Sequence, residues 1–207
     1  MTGLDRFKSA ADAQEHDMTN WPILAQSHDA LRTAVAAVAD WGAPTPCADW
    51  TAAQVFQHAA GDQIGFAAFL TGCPGPSYDP FAPSGVLDGE PRDLLEPALR
   101  LAAEAWAGVA TSSEQVHVPV PPNDMPAGLG VGACALDAAV HAWDLARSAG
   151  APSPVPTTLA RDLLPVAQQI VEPLRAFGAY APALPASSGD EVAALMRYLG
   201  RDPNWTA

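Results

Sequence analysis

The chain has 207 residues, 49% hydrophobic and 16% charged, which is enough apolar material for a folded core and too much for a disordered segment. Its formal net charge of -13 repels a phosphate backbone and an acidic lipid surface, which sets aside nucleic acid and membranes as partners. No apolar run approaches bilayer length, the N-terminus lacks a signal-peptide pattern, and Cys47, Cys73 and Cys134 form no CxxC pair, so a cytoplasmic protein without a disulfide framework is expected.

Helices separated by proline and glycine follow one another along the chain. The first is predicted over residues 19–41, capped by Thr19 or Asn20, with Pro22 in its first turn and Gly42 at its end. Leu24, Ser27, Leu31, Ala34, Val35 and Val38 form its inward stripe. After the connector "APTPCADW", Thr51 and Gln54 are spaced for a capping box opening a second helix that runs to about Leu70. Residues 72–91, with four glycines and five prolines, cannot be a regular element. They read as a functional loop or as a crossover between distant helix ends, and Tyr78 and Phe81 make them the best candidate for covering a substrate. Pro91 opens a third helix that carries Leu95, Leu99 and Trp106 inward, and "VHVPVPPNDMP" (116–126) is extended, at most a short edge. A fourth helix is predicted over about 131–149 and a fifth over 157–177, with Pro165 and Pro173 threatening kinks. Ser188 and Glu191 suggest a capping box for a short closing helix. The expected architecture is an all-α four-helix bundle with long crossover loops. An N-terminal extension (1–18) precedes one domain (19–207), with helical additions from about 157.

Polar residues inside these apolar stripes are the candidates for chemistry. His16 and His28 have polar neighbours and read as surface residues, and His117 could line a cleft. His58 and His141 differ, because each lies mid-helix among small apolar residues, and Asp137 shares the face of His141 four residues away. A buried neutral imidazole needs partners for both nitrogens. Two histidines and a carboxylate from two bundle helices form a set suited to zinc, nickel or ferrous iron, with positions left open for water or substrate. The plainer reading is an i,i+4 ion pair beside a satisfied core histidine. Asp62, four residues after His58, is either a partner or further ligand at such a centre or a partly exposed carboxylate. Cys134 reads as packing, Asp144 as orienting the helix or pairing with Arg147, and Arg147 as a surface residue or a contact for a substrate carboxylate.

The phrases "TPCADWTAAQVFQHAAG", "DMPAG", "LDAAVHAWDLARSAG" and "LGRDPNW" resemble an actinobacterial metal-binding group of the DinB-like superfamily, related to the N-terminal domain of mycothiol-dependent maleylpyruvate isomerase. The resemblance spans about Trp21 to Trp205. It implies a four-helix bundle holding one divalent metal through His58, Asp137 and His141, with mycothiol as a possible cosubstrate. The isomerases carry a glutamate at the position of Asp137. They also have a separate C-terminal domain, for which the roughly thirty residues after helix five are too few. "PPNDMPAG" lacks a glycine expected before its acidic residue.

A metal centre of this kind suits thiol addition to an activated alkene, displacement by sulfur, or isomerisation when the added thiol later departs. The expected function is therefore a metal-dependent thiol transferase or isomerase, with a small-molecule electrophile and a low-molecular-weight thiol as its partners. Zinc is the expected metal, and the protein is expected as a monomer or homodimer. Two alternatives stay open: a hydrolase or biosynthetic tailoring enzyme using no thiol, and a non-catalytic metal-binding bundle.

Overall fold

A computed structural model describes residues 20–176 and 178–207, so Thr19, His16 and the expected extension 1–18 lie outside the described residues. The described residues form six helices: α1 (Pro22–Ala37), α2 (Ala52–Thr71), α3 (Pro91–Ala107), α4 (Ala127–Ser148), α5 (Thr157–Arg175) and α6 (Glu191–Tyr198). The only sheet among the described residues pairs β1 (Val116–His117) antiparallel with β2 (Asp124–Met125), the short edge that the prolines allow. No described helix is long and apolar enough to cross a membrane.

The helices begin and end for local reasons. Thr51 accepts a bond from the Gln54 amide while the Gln54 side chain reaches back to the Thr51 backbone, so the expected capping box opens α2. Gly72 closes α2 in the left-handed conformation at φ 74°, which glycine adopts without steric penalty. Trp21 stands at the cap of α1 without a side-chain bond, and its indole instead donates to the Trp106 carbonyl at 2.9 Å, tying α1 to the end of α3. The cap of α6 is Asp190, which accepts from the Ala193 amide; this displaces the expected Ser188–Glu191 box. Pro165 and Pro173 both lie inside α5 without ending it.

The first four helices pack in a ring, α1 against α3, α3 against α2, α2 against α4, and α4 against α1. Helices α1 and α2 are diagonal, so the segments 38–51 and 108–126 are the crossing connections. Helix α5 covers α4, and α6 packs on α5. α4 is enclosed along nearly its whole length, and it begins four residues earlier than its glycine-rich start suggested. Those glycines are needed for close packing. A Cβ at Gly132 would sit 2.7 Å from a Val166 methyl carbon, and one at Gly130 would sit 3.0 Å from the Trp106 ring. Trp106, Phe56, Phe66, Leu31, Leu99, Leu136 and Leu145 fill the interior, each worth about 1.5–3 kcal/mol when removed from water.

Helices α2 and α3 pack directly together, so the 72–91 loop is not a crossover between distant helix ends. It folds back along α2 instead. The Tyr78 hydroxyl donates to the Gln57 carbonyl at 2.7 Å, the Gln54 amide donates to Pro83 O, and the Gln57 side chain both receives the Gly85 N–H and donates to Val86 O. Gly61 makes this seat possible, because a Cβ there would lie 2.8 Å from the Pro80 ring.

Candidate metal centre

His58 projects from α2 toward α4, where Asp137 and His141 stand one turn apart. Asp137 Oδ1 lies 3.6 Å from His58 Nε2 and 3.4 Å from His141 Nε2, and the two rings meet edge to face with centroids 4.8 Å apart. One donor atom from each of the three residues falls within 4.8 Å of the others, and this is the cluster read from sequence. Each imidazole is fixed from behind. His58 Nδ1 donates to the Pro80 carbonyl at 3.0 Å, and His141 Nδ1 donates to Asp144 Oδ2 at 3.0 Å. A carbonyl and an ionised carboxylate only accept, so in each neutral ring the proton sits on Nδ1 and the Nε2 lone pair faces the centre.

The residues fit a cation. Asp137 Oδ2 is buried with no hydrogen-bond partner, a costly arrangement unless something else satisfies it. The nitrogen–oxygen separations exceed the ~2.7–3.2 Å of an N–H···O bond. They approach the ~3.3–3.5 Å expected between donors around a tetrahedral zinc with bonds of about 2.0–2.2 Å. Electrostatics agree. Burial alone pushes carboxylates up and imidazoles down, yet the paired imidazoles hold Asp137 well below the usual carboxylate range. Burial likewise lowers His141, but the carboxylates of Asp137 and Asp144 prevail and lift it to about 9. For His58, burial is outweighed by the neighbouring Asp137 and Asp62 carboxylates, and the ring sits above its ordinary value. The pocket attracts positive charge.

Around this centre, Trp50 and Phe81 flank the His58 ring at centroid distances of 5.1 and 5.3 Å, and Phe81 is 69% exposed, so the loop presents an apolar face at the site's mouth. Asp62 Oδ2 approaches His58 Nε2 to 3.7 Å, placing Asp62 at the centre's rim rather than on an open surface. Burial, then the Asp137 charge, pushes its carboxyl up to about 7. Arg147 donates to the Trp205 carbonyl at 2.7 Å, so neither Asp144 nor the centre receives it. Asp144 is held instead by Arg201. Cys134 is buried, as expected for packing, with its thiol donating to Gln63 Oε1 at 3.2 Å. His117 is exposed, paired with Asp124 and stacked on Phe69.

His28 overturns its surface reading. It is 2% exposed, and its Nε2 donates to Gln63 Oε1 at 2.8 Å. Its position four after Leu24 and three before Leu31 carried the signal, which the polar neighbours obscured. The parts of the site missed in sequence are Trp50, the Pro80 carbonyl and Arg201. For Trp50 the adjacency to the Thr51 cap was an available clue, whereas a backbone acceptor and a partner 57 positions from Asp144 leave no trace in spacing.

The fold and the centre define a class: a helical bundle in which two imidazoles and a carboxylate from facing helices converge on an interior point. Residues 24–146, more than half of the chain and including all three candidate ligands, match the family described as the mycothiol maleylpyruvate isomerase N-terminal domain. The chain belongs to that family. Uncharacterized proteins from two strains of Mycobacterium tuberculosis are 29% identical to it over 134 residues, 64% of this chain and 67% of theirs. A crystal structure of the mycothiol-dependent maleylpyruvate isomerase, and another of a variant of it, superpose with a TM-score of 0.51 at 20% identity. That likeness establishes the bundle fold. It covers 68% of this chain and 64% of the isomerase, so the chain spans less than two thirds of that protein's length.

Proposed function

We propose that the protein binds one divalent cation, zinc by preference, through His58, Asp137 and His141, and transfers a low-molecular-weight thiol to a small electrophile or isomerises it through such an adduct. The observation that carries this reading is the convergence of two imidazole Nε2 atoms on a buried Asp137 carboxylate whose second oxygen has no partner. Family membership supports mycothiol as the thiol. When bound, the cation supplies Lewis acidity that favours the thiolate over the thiol at neutral pH. The protein's own groups do the rest. Pro80 O and Asp144 hold the two rings in one tautomer, Trp50 and Phe81 limit water at the mouth and flank an apolar electrophile, and Asp62 Oδ2 stands at the rim to receive a proton.

The test is elemental analysis of the purified protein beside His58→Ala, followed by an assay of thiol-dependent electrophile consumption with and without a chelator. About one equivalent of metal in the wild type, a marked loss in the variant and chelator-sensitive consumption are expected. Equal metal content in both proteins removes the ligand set, and consumption that needs no thiol removes the transferase reading.

A further inference from the structure

We propose that Arg201, from the segment following the family-matched residues, is a positioning residue for the centre: through Asp144 it fixes the ring of His141 with Nε2 turned inward. The proposal rests on the metal-centre reading of the three ligands. Arg201 Nε donates to Asp144 Oδ1 at 2.8 Å and its Nη2 to Asp144 Oδ2 at 2.9 Å, a two-pronged grip on a carboxylate with no solvent exposure. Asp144 Oδ2 also receives the His141 Nδ1 proton. One planar fork therefore sets the carboxylate plane, and the carboxylate sets both the rotation of the ring and the nitrogen that keeps the hydrogen. His58 obtains the same result from the Pro80 carbonyl, so the two rings are oriented by unrelated devices that leave both Nε2 atoms pointing inward.

The guanidinium is itself constrained. The Arg201 amide bonds to Met196 O at 2.9 Å, closing the turn after α6. Gly200 makes that turn at φ 81°, with the Ala181 carbonyl oxygen 2.7 Å from where a Cβ would stand. The Arg201 Cζ lies 5.9 Å over the Tyr180 ring. A buried ion pair is often no more stabilising than apolar packing of equal volume, so stability alone is a poor account of this one. Passing a fixed acceptor to His141 gives it a task, and it absorbs the "LGRDPNW" phrase: Arg201 grips Asp144 while Trp205 O receives Arg147, one turn further along the same helix.

The experiment uses the full chain. Zinc affinity is measured by competition with a chromogenic chelator for wild type, Arg201→Met, Arg201→Lys and Arg147→Met. The His141 tautomer is read in metal-free protein, at a pH alkaline enough to leave the ring neutral, from long-range ¹⁵N–¹H correlations. Arg201→Met is expected to bind zinc about 10–100-fold more weakly, the range for losing a partner behind a metal-bound histidine, and to lose the single Nδ1–H signature. Arg201→Lys, with one point charge in place of the fork, is expected to fall between, and it carries the test alone when the methionine variant does not fold. Arg147→Met loosens the same terminal segment without touching Asp144 and is expected to retain wild-type affinity and tautomer. Wild-type affinity and an unchanged Nδ1–H signature in the Arg201 variants overturn the proposal, as does an equal loss in Arg147→Met. Absence of zinc binding in the wild type refutes the metal-centre reading instead, and the tautomer comparison then decides the role of Arg201 by itself.

Discussion

Replacing His28 by leucine should remove a defined portion of the protein's acid sensitivity. The ring is buried in the bundle interior, where it reaches from α1 to Gln63 of α2, and burial, opposed by its bond to Gln63, brings its pKa from 6.5 down to about 4. In the unfolded chain the ring takes up a proton near pH 6.5, whereas in the folded protein it stays neutral until about pH 4. Stability attributable to the neutral ring is therefore complete above 6.5 and drains away as pH falls toward 4. A displacement of about 2.5 units at 1.36 kcal/mol each gives a loss of about 3 kcal/mol across that window. At pH 7.5 the substitution should cost only about 1 kcal/mol, because Gln63 Oε1 keeps the Cys134 thiol as a donor and its NH₂ keeps the Cys134 carbonyl. Urea unfolding at half-unit steps from pH 7.5 to 4, with chelator present, isolates the effect. The stability difference between variant and wild type should move by about 3 kcal/mol in the variant's favour. A difference that stays constant within 1 kcal/mol over the whole range refutes the argument.

Four other substitutions probe the scaffold. Gly61→Ala gains helix propensity of about 1 kcal/mol but drives a methyl into Pro80, so the 72–91 loop should become a preferred site of limited proteolysis and zinc affinity should fall; a loop as resistant as in wild type contradicts the seating of Pro80 on α2. Gly65→Ala, with nothing within 4 Å of the new carbon, should raise the urea midpoint by the equivalent of about 0.5–1 kcal/mol, whereas Gly132→Ala must move Val166 and should lower it; midpoints moving in the same direction would negate the packing assigned to α4. Thr51→Ala should cost about 1 kcal/mol by opening the capping box of α2, and an unchanged chemical midpoint would remove that cap as a stabilising element.

What could be read in advance followed from short-range chemistry. The Thr51–Gln54 box, the glycine stop at 72 and the apolar stripes located the helices, and the four-residue step from Asp137 to His141 with a second histidine among alanines singled out three side chains that the fold brings together. The departures share a cause: in the packed bundle, residue position outweighs residue type. His28 occupies the inward stripe of α1 but carries a polar ring, and the expected start of α4 at about 131 leaves out Gly130, whose missing side chain lets the helix meet Trp106. Asp190 took the α6 cap ahead of Ser188, a choice between equally suitable oxygens that the packed backbone makes. The grip of Arg201 on Asp144 and the acceptor at Pro80 arise only once distant segments meet, and they are the contacts behind the His141 and His58 rings.

The enclosure of α4 has an evolutionary corollary. A helix walled in by α1, α2 and α5, with Asp137 and His141 on it and almost no free perimeter, leaves descendants of this protein little room to experiment there. Under the proposed function, room for new substrate preferences lies in the proline-rich flap laid over α2, which carries Phe81 against His58. That flap is where a library of variants should be diversified first, with the buried helix kept as the unvarying anvil.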